Sequence, residues 1–210
     1  MSSHSDDSGF PEHISPVVKM IILGDGAVGK TTLVQAISNY IRTLGEVCHA
    51  TIPTNRTRFL DFHTISSTSK SPCTISLFDV QGQLRGTCHP VSVMGRNLLG
   101  SVCLALFIFA VNDYPSFEHL FSDEGWYGIT KADIEENSIP FFLIGNKTDS
   151  HNHEVISKSV EKIGKKYQTY KGYFETSAIT GQGIPELVEN IQKFTKPQFI
   201  YTIMTAGIRI

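Results

Sequence analysis

Gly24-Asp25-Gly26-Ala27-Val28-Gly29-Lys30-Thr31 is the stretch on which the reading of this chain turns. It has the form G-x-x-x-x-G-K-[ST] and follows directly on the apolar run Val17–Leu23. Behind it, Leu33, Ile37, Ile41 and Leu44 recur on one helix face. A strand, a glycine-rich turn and an amphipathic helix in that order are the context of a phosphate-binding loop. Glycines let successive backbone N–H groups turn inward around an anion, and the helix N-terminus adds partial positive charge. In this reading Lys30 reaches the β- and γ-phosphates, and the Thr31 hydroxyl ligates Mg²⁺. The bland alternative is a glycine-rich turn with an incidental lysine; the flanking strand and helix speak against it.

Outward from the loop, two kinds of segment alternate. Short β-branched or aromatic runs recur at 17–23, 56–64, 74–80, 102–111, 139–145 and 172–175. Helical spacing returns in Ile156, Val160, Ile163 and Tyr167, and in Leu187, Ile191 and Phe194, where Pro185 suits a first turn. Residues 112–138 carry Pro115, Gly125 and Gly128, so the helix there is the hardest to place. Strands alternating with helices predict an α/β fold, a six-stranded and mostly parallel sheet with helices on both faces. Trp126, Tyr127 and the pair Phe117 and Phe121 read as core. Residues 1–16 are too polar to pack and are expected to be a disordered tail. The folded domain is expected over 17–196, followed by an apolar C-terminal extension, 197–210. That extension is too short to span a bilayer.

Composition narrows the function classes. The chain has 210 residues, 18 Lys and Arg against 20 Asp and Glu, and a formal net charge of −2. A reader of nucleic acid normally carries a strong basic excess, so no nucleic acid polymer is expected as partner. Cys48, Cys73, Cys88 and Cys103 form no Cys-x-x-Cys pair, which fits reduced thiols of a cytoplasmic protein better than disulfides or a zinc site. The longest uncharged apolar run, Val102–Val111, has the length of a buried strand and not of a membrane span.

The phosphate loop implies a nucleoside triphosphate without saying which base. Asn146-Lys147-Thr148-Asp149, directly after the run Phe141–Gly145, supplies the choice. A carboxylate at Asp149 can accept from both N1–H and the N2 amine of guanine. Adenine offers neither donor there and would leave a desolvated acceptor unpaired, at about 1–3 kcal/mol.

With these two motifs in place the chain resembles the Ras superfamily of small GTPases, the α/β P-loop small G domain, over about residues 17–196. Asp79-Val80-Gln81-Gly82-Gln83 looks like the family's D-x-x-G-Q element. The resemblance implies that Asp79 holds Mg²⁺ through water, that the Gly82 N–H senses the γ-phosphate, and that Gln83 orients the attacking water. Glu175-Thr176-Ser177-Ala178 matches the guanine-supporting loop. Pro53-Thr54 resembles switch I, whose threonine binds Mg²⁺ and the γ-phosphate; Thr51 competes for that role, and Thr54 is preferred. The implied nucleotide-binding set is therefore Asp25, Gly26, Ala27, Val28, Gly29, Lys30, Thr31, Thr32, Gly82, Asn146, Lys147, Asp149, Ser177, Ala178 and Ile179. The implied metal ligands are Thr31, Thr54 and Asp79, and the implied catalytic residues are Gln83, Lys30 and Thr54. Mg²⁺ and GTP or GDP would be the cofactors, and effector, exchange-factor and GTPase-activating proteins the partners.

The Rab branch fits best, from Ile144–Asp149 and Glu175–Gly181. Departures from the family pattern are concrete. Lys30 and Thr54 stand further apart than usual, Gln81 replaces a small residue, and Ile179 stands where a lysine often follows. No aromatic occupies the place of the ring that stacks on guanine; Arg42 falls near it, with Tyr40 and His49 as substitutes. No cysteine follows Cys103, so no direct lipid anchor is expected and membrane association would come through partners. The expected function is a GTP/GDP switch with slow hydrolysis, in vesicle trafficking or signalling. The rivals are a guanine-nucleotide-binding module with negligible hydrolysis and a small-molecule kinase. A kinase would need an arginine-rich lid, and only Arg85 and Arg96 lie mid-chain.

Overall fold

β-branched and aromatic residues form strands because their side chains fit a pleated, half-buried surface. In the computed structural model, which describes residues 17–43, 60–66 (backbone only), 74–82, 91, 98–150 and 157–195, the described strands are six. They are β1 (Val17–Leu23), β2 (Leu60–Ser66), β3 (Thr74–Val80), β4 (Val102–Ala110), β5 (Phe141–Asn146) and β6 (Tyr170–Thr176). The described helices are α1 (Lys30–Arg42), α2 (Tyr114–Phe121), α3 (Trp126–Glu136), α4 (Ser157–Lys166) and α5 (Ile184–Thr195). The strands make one sheet in the order β2-β3-β1-β4-β5-β6. β2 runs antiparallel to β3 and every other pairing is parallel. The six-stranded, mostly parallel sheet is as the alternation predicts.

Helices cover both faces, so the central strands are apolar throughout rather than alternating. β4 is buried along almost its whole length, as is β5. One face packs α1 and α5 on β1, β3 and β4 through Leu33, Val34, Ile37, Leu187, Val188 and Ile191. Each such aliphatic side chain contributes about 1.5–3 kcal/mol when fully removed from water. The other face packs α2, α3 and α4 through a set rich in rings: Phe107, Phe117, Trp126, Tyr127, Phe141 and Tyr167. Tyr127 and Tyr167 have centroids 4.5 Å apart, with Phe141 at 5.3 Å from Tyr127. Trp126, Tyr127 and Phe117 are core, as expected, whereas Phe121 packs only half-buried against it.

Element limits differ from the sequence reading where hydrogen bonding decides. β2 is described from Leu60 to Ser66, with Leu60 opposite Val80 and Ser66 opposite Thr74. β5 starts at Phe141 because the Ile139 N–H is taken by the Ile134 carbonyl at 2.9 Å and Pro140 has no N–H. β6 begins earlier than expected because Tyr170 pairs with Phe141. The segment 112–138 resolves into two helices. Pro115 lies in the first turn of α2, where its missing N–H costs nothing. A turn at Ser122–Gly125 separates α2 from α3, closed by Gly125 N–H to the Ser122 carbonyl at 3.0 Å. Gly125 lies so close to the His119 carbonyl that a Cβ there would overlap it. The expected tails at 1–16 and 197–210 lie outside the described residues.

β1 sits at the middle of the sheet, between β3 and β4. The chain leaves β1 toward β3 and β2, and leaves β4 in the opposite direction, toward β5 and β6. In open α/β sheets such a reversal opens a crevice beyond the carboxyl ends of the strands. The loop at 24–29 lies there.

Candidate functional site

The phosphate loop leaves β1 at Gly24, and α1 starts at Lys30. Gly24 has φ 155°, and a Cβ on it would run into the Ile108 carbonyl of β4. Gly29, the residue before α1, has φ 93°, a left-handed conformation that favours glycine. It also presses on the Asn146 amide, which a Cβ would overlap. Ala27 adopts φ 63° without being glycine, a local strain of about 1–2 kcal/mol that the loop imposes. No acidic residue lies in the first turn of α1, so the positive end of its dipole is not neutralised from within the helix.

Lys30 is buried, and its ammonium donates to the Gly24 carbonyl at 2.8 Å and the Asp25 carbonyl at 2.6 Å. Two of its three N–H groups are thus taken by the loop itself. Burial pushes its pKa down to about 8, against the opposing pull of Asp79 and Asp25. The Thr31 hydroxyl donates to the Asp79 carboxylate across from the end of β3. Gly82, three residues on, approaches both the Lys30 ammonium and the Asp25 carbonyl so closely that a Cβ would collide with them. Gln81 is buried beside it.

A second pair of loops closes the site at the ends of β5 and β6. Asn146 is 1% exposed and all of its described side-chain bonds are structural. Its Nδ2 donates to the Val28 carbonyl at 3.0 Å, and its Oδ1 accepts from Thr176 Oγ1 and Ala178 N–H, both at 3.2 Å. One amide therefore ties the phosphate loop to both guanine-type motifs. Lys147 holds φ 69°. Asp149 is exposed, and Ser177 Oγ donates to its Oδ1 at 2.5 Å. Ser177 itself is fully buried, its N–H bonded to the Gln182 carbonyl at 3.0 Å. Ile179 is 54% exposed although apolar.

These contacts bring together Asp25, Val28, Gly29, Lys30, Thr31, Asp79, Gly82, Asn146, Asp149, Ser177 and Ala178, from parts of the chain far apart in sequence. Gly26 and Ala27 lie between them in the loop, Thr32 follows in α1, and Lys147 and Ile179 adjoin. Thr54, its competitor Thr51, Gln83 and His49 lie outside the described residues. Tyr40 packs, half-buried, against the core on the α1 side. Two contacts were not legible in the sequence. Asp25 Oδ1 accepts the Trp126 indole N–H at 2.8 Å and lies 2.7 Å from His119 Nδ1. A separation of 94 and 101 residues leaves no local signal for either.

The donor set fits Mg²⁺. Thr31 and Asp79 offer a hydroxyl and a carboxylate in direct contact, the hard oxygen ligands this ion takes. Among the described residues no group of three or more His, Cys, Asp or Glu side chains could hold a metal by itself. Mg²⁺ is usually bound by one or two carboxylates together with phosphates and waters, so it needs no such cage.

The sequence profile described as the Ras family matches residues 19–196. The chain belongs to the Ras family. This Ras-family chain is 32% identical over 195 residues to the Ras-related protein RABG3f of Arabidopsis thaliana, covering 88% of the chain and 84% of the relative. It is 32% identical over 173 residues to the Ras-related protein Rab-9A of Rattus norvegicus, covering 78% and 75%. It is 30% identical over 187 residues to the Ypt/Rab-type GTPase ypt7 of Schizosaccharomyces pombe, covering 89% and 84%. It is thus a divergent, Rab-like small GTPase of that family. Among the described residues no helix is long and apolar enough to cross a membrane.

Proposed function

We propose that this protein is a guanine-nucleotide switch that binds GTP and GDP with Mg²⁺ and slowly hydrolyses GTP to GDP and phosphate. The observation that carries the reading is Asn146, whose single amide joins the phosphate loop to the Ala178 N–H and the Thr176 hydroxyl. Phosphate chemistry and base chemistry thereby share one crevice.

Each residue has a part in this reading. The loop N–H groups from Asp25 to Thr32 and the unneutralised α1 dipole cradle the polyphosphate. Lys30 turns its remaining N–H to the β- and γ-phosphates. Burial makes its positive charge costly, and a bound polyphosphate offsets that cost. Asp149 accepts from guanine N1–H and N2, Ser177 holds its carboxylate in place, and the Ala178 N–H donates to the base oxygen. Lys147 and Ile179 flank the base. Thr31, Asp79 and Thr54 would hold Mg²⁺, which neutralises phosphate charge when bound. Gln83 aligns the water, and the Gly82 N–H meets the γ-phosphate beside Lys30, whose ammonium a Cβ on residue 82 would strike. Few groups act as acid or base, so unaided turnover is slow.

The family relatives named for Rab support a place in membrane trafficking. A change of shape around 45–58 and 81–100 would let effector, exchange-factor and GTPase-activating proteins tell the two states apart. Membrane association runs through such partners. The test is to identify the nucleotide that copurifies with the protein, then to follow its release and single-turnover phosphate production with and without Mg²⁺. Guanine nucleotide, Mg²⁺-dependent retention and slow phosphate release are the expected result. Equal affinity for ATP would overturn the reading. Tight GTP binding with no phosphate released above the protein-free rate would leave a binding module in its place.

A further inference from the structure

Asp25 carries the only acidic side chain in the phosphate loop. A carboxylate there repels a polyphosphate unless its charge is taken up elsewhere. Its Oδ1 is taken up by two N–H groups: Trp126 Nε1 donates to it at 2.8 Å, and His119 Nδ1 lies at 2.7 Å. The Asp25 backbone carbonyl meanwhile accepts from the Lys30 ammonium at 2.6 Å. One residue therefore grips the lysine with its main chain and the α2–α3 corner with its side chain.

The corner is built to stay where it is. Trp126 is 1% exposed and opens α3, and His119 lies in the last turn of α2. The turn between them is closed by Ser122 N–H and Ser122 Oγ to the His119 carbonyl, at 3.3 and 3.0 Å. Thr130 Oγ1 donates to the Trp126 carbonyl at 2.6 Å, bracing the first turn of α3. The corner cannot shift without moving both donors.

We propose that His119 and Trp126 are positioning residues for the phosphate loop. Acting through Asp25, they hold its carbonyl on Lys30 and set the lifetime of the bound nucleotide without touching it. The proposal rests on the reading of the loop as a nucleotide site. It also makes the α2–α3 corner a place from which nucleotide release can be tuned.

The test measures GDP and GTP dissociation from the full chain and from His119→Ala, Asp25→Ala, Asp25→Asn and the double variant His119→Ala/Asp25→Ala. A charge-assisted hydrogen bond lost at this part-buried contact should speed release of both nucleotides by about tenfold in Asp25→Ala and about threefold in His119→Ala. The double variant should release no faster than Asp25→Ala, because both changes break the same contact. Asp25→Asn keeps a carbonyl acceptor for both N–H groups and should release both nucleotides more slowly than Asp25→Ala. Trp126 is the only tryptophan in the chain, so its emission reports on the contact directly. Emission should change on nucleotide removal in the parent and in Asp25→Asn, and stay constant in Asp25→Ala.

His119 is about one-third exposed, so its truncation leaves no core cavity and carries the test even if Asp25→Ala does not fold. Parent-like release from His119→Ala, additive effects in the double variant, or a Trp126 signal indifferent to Asp25 would each overturn the proposal. A parent chain that binds no guanine nucleotide would instead overturn the site reading beneath it.

Discussion

Asp149 and Gln83 illustrate what a single side chain can be asked to do. Asp149 is exposed at the end of β5, and its Oδ1 accepts from Ser177 Oγ at 2.5 Å. Asp149→Asn replaces an acceptor pair by an acceptor and a donor. Preference should move from guanine toward xanthine nucleotides, whose O2 accepts from the amide. Competition binding with GTP, XTP and ATP reads the change, and an unaltered order of affinities would remove Asp149 from base recognition. Gln83 acts, on our reading, only in the hydrolytic step, whereas Gln81, just past the end of β3, is buried. Gln83→Leu should slow single-turnover phosphate release by at least tenfold, about 1.4 kcal/mol in the barrier, with nucleotide affinity little changed. Gln81→Ala should release phosphate as fast as the parent or faster. Should Gln83→Leu hydrolyse at the parent rate, another residue places the water.

At the scale of elements, the site is the meeting of strand ends. β1, β3, β5 and β6 deliver Gly24, Asp79, Asn146 and Thr176 to one edge of the sheet, because parallel strands end on the same side. Asn146 fastens three of the resulting loops, and Asn146→Ala would strand the Val28 carbonyl, the Thr176 hydroxyl and the Ala178 N–H. Leaving buried groups unpaired costs about 1–3 kcal/mol each, so we expect a loss of about 3 kcal/mol after partial relaxation. In a chain of this size that lowers the nucleotide-free melting temperature by about 6–12 °C. Calorimetry checks it. A loss below about 1 kcal/mol would show that the loops are held by packing and not by this amide.

For the molecule as a whole, nucleotide should act as part of the fold. A buried ammonium and a helix N-terminus with no acidic residue in its first turn both favour an anion in the loop. Saturating GDP with Mg²⁺ at about 100 times its Kd should add about 2.7 kcal/mol, and chelation of Mg²⁺ should remove part of it. Thermal denaturation with GDP, ATP and no nucleotide, with and without chelator, measures both effects. Equal stabilisation by ATP would contradict the base assignment.

Much of this architecture was legible in the order of residues. The glycine-rich octet, the run of strands and the Asn146–Asp149 motif are local patterns, and their meaning follows from short-range chemistry: backbone freedom at glycine, periodicity of apolar side chains, donor and acceptor arrays on a base. The alternation of strands and helices led to the right sheet, since crossover connections permit few topologies. Boundaries were less legible. The end of α3 and the start of β5 were set by one hydrogen bond from Ile139 and by the missing N–H of Pro140. The break between α2 and α3 needed the close approach of Gly125 to the His119 carbonyl, a contact with no signature in composition. Only the tertiary structure could join Asp25 to His119 and Trp126, 94 and 101 residues away. A sequence shows what a residue offers, a carboxylate or an indole N–H. Which offer is accepted depends on where the sheet and its covering helices set the two groups down.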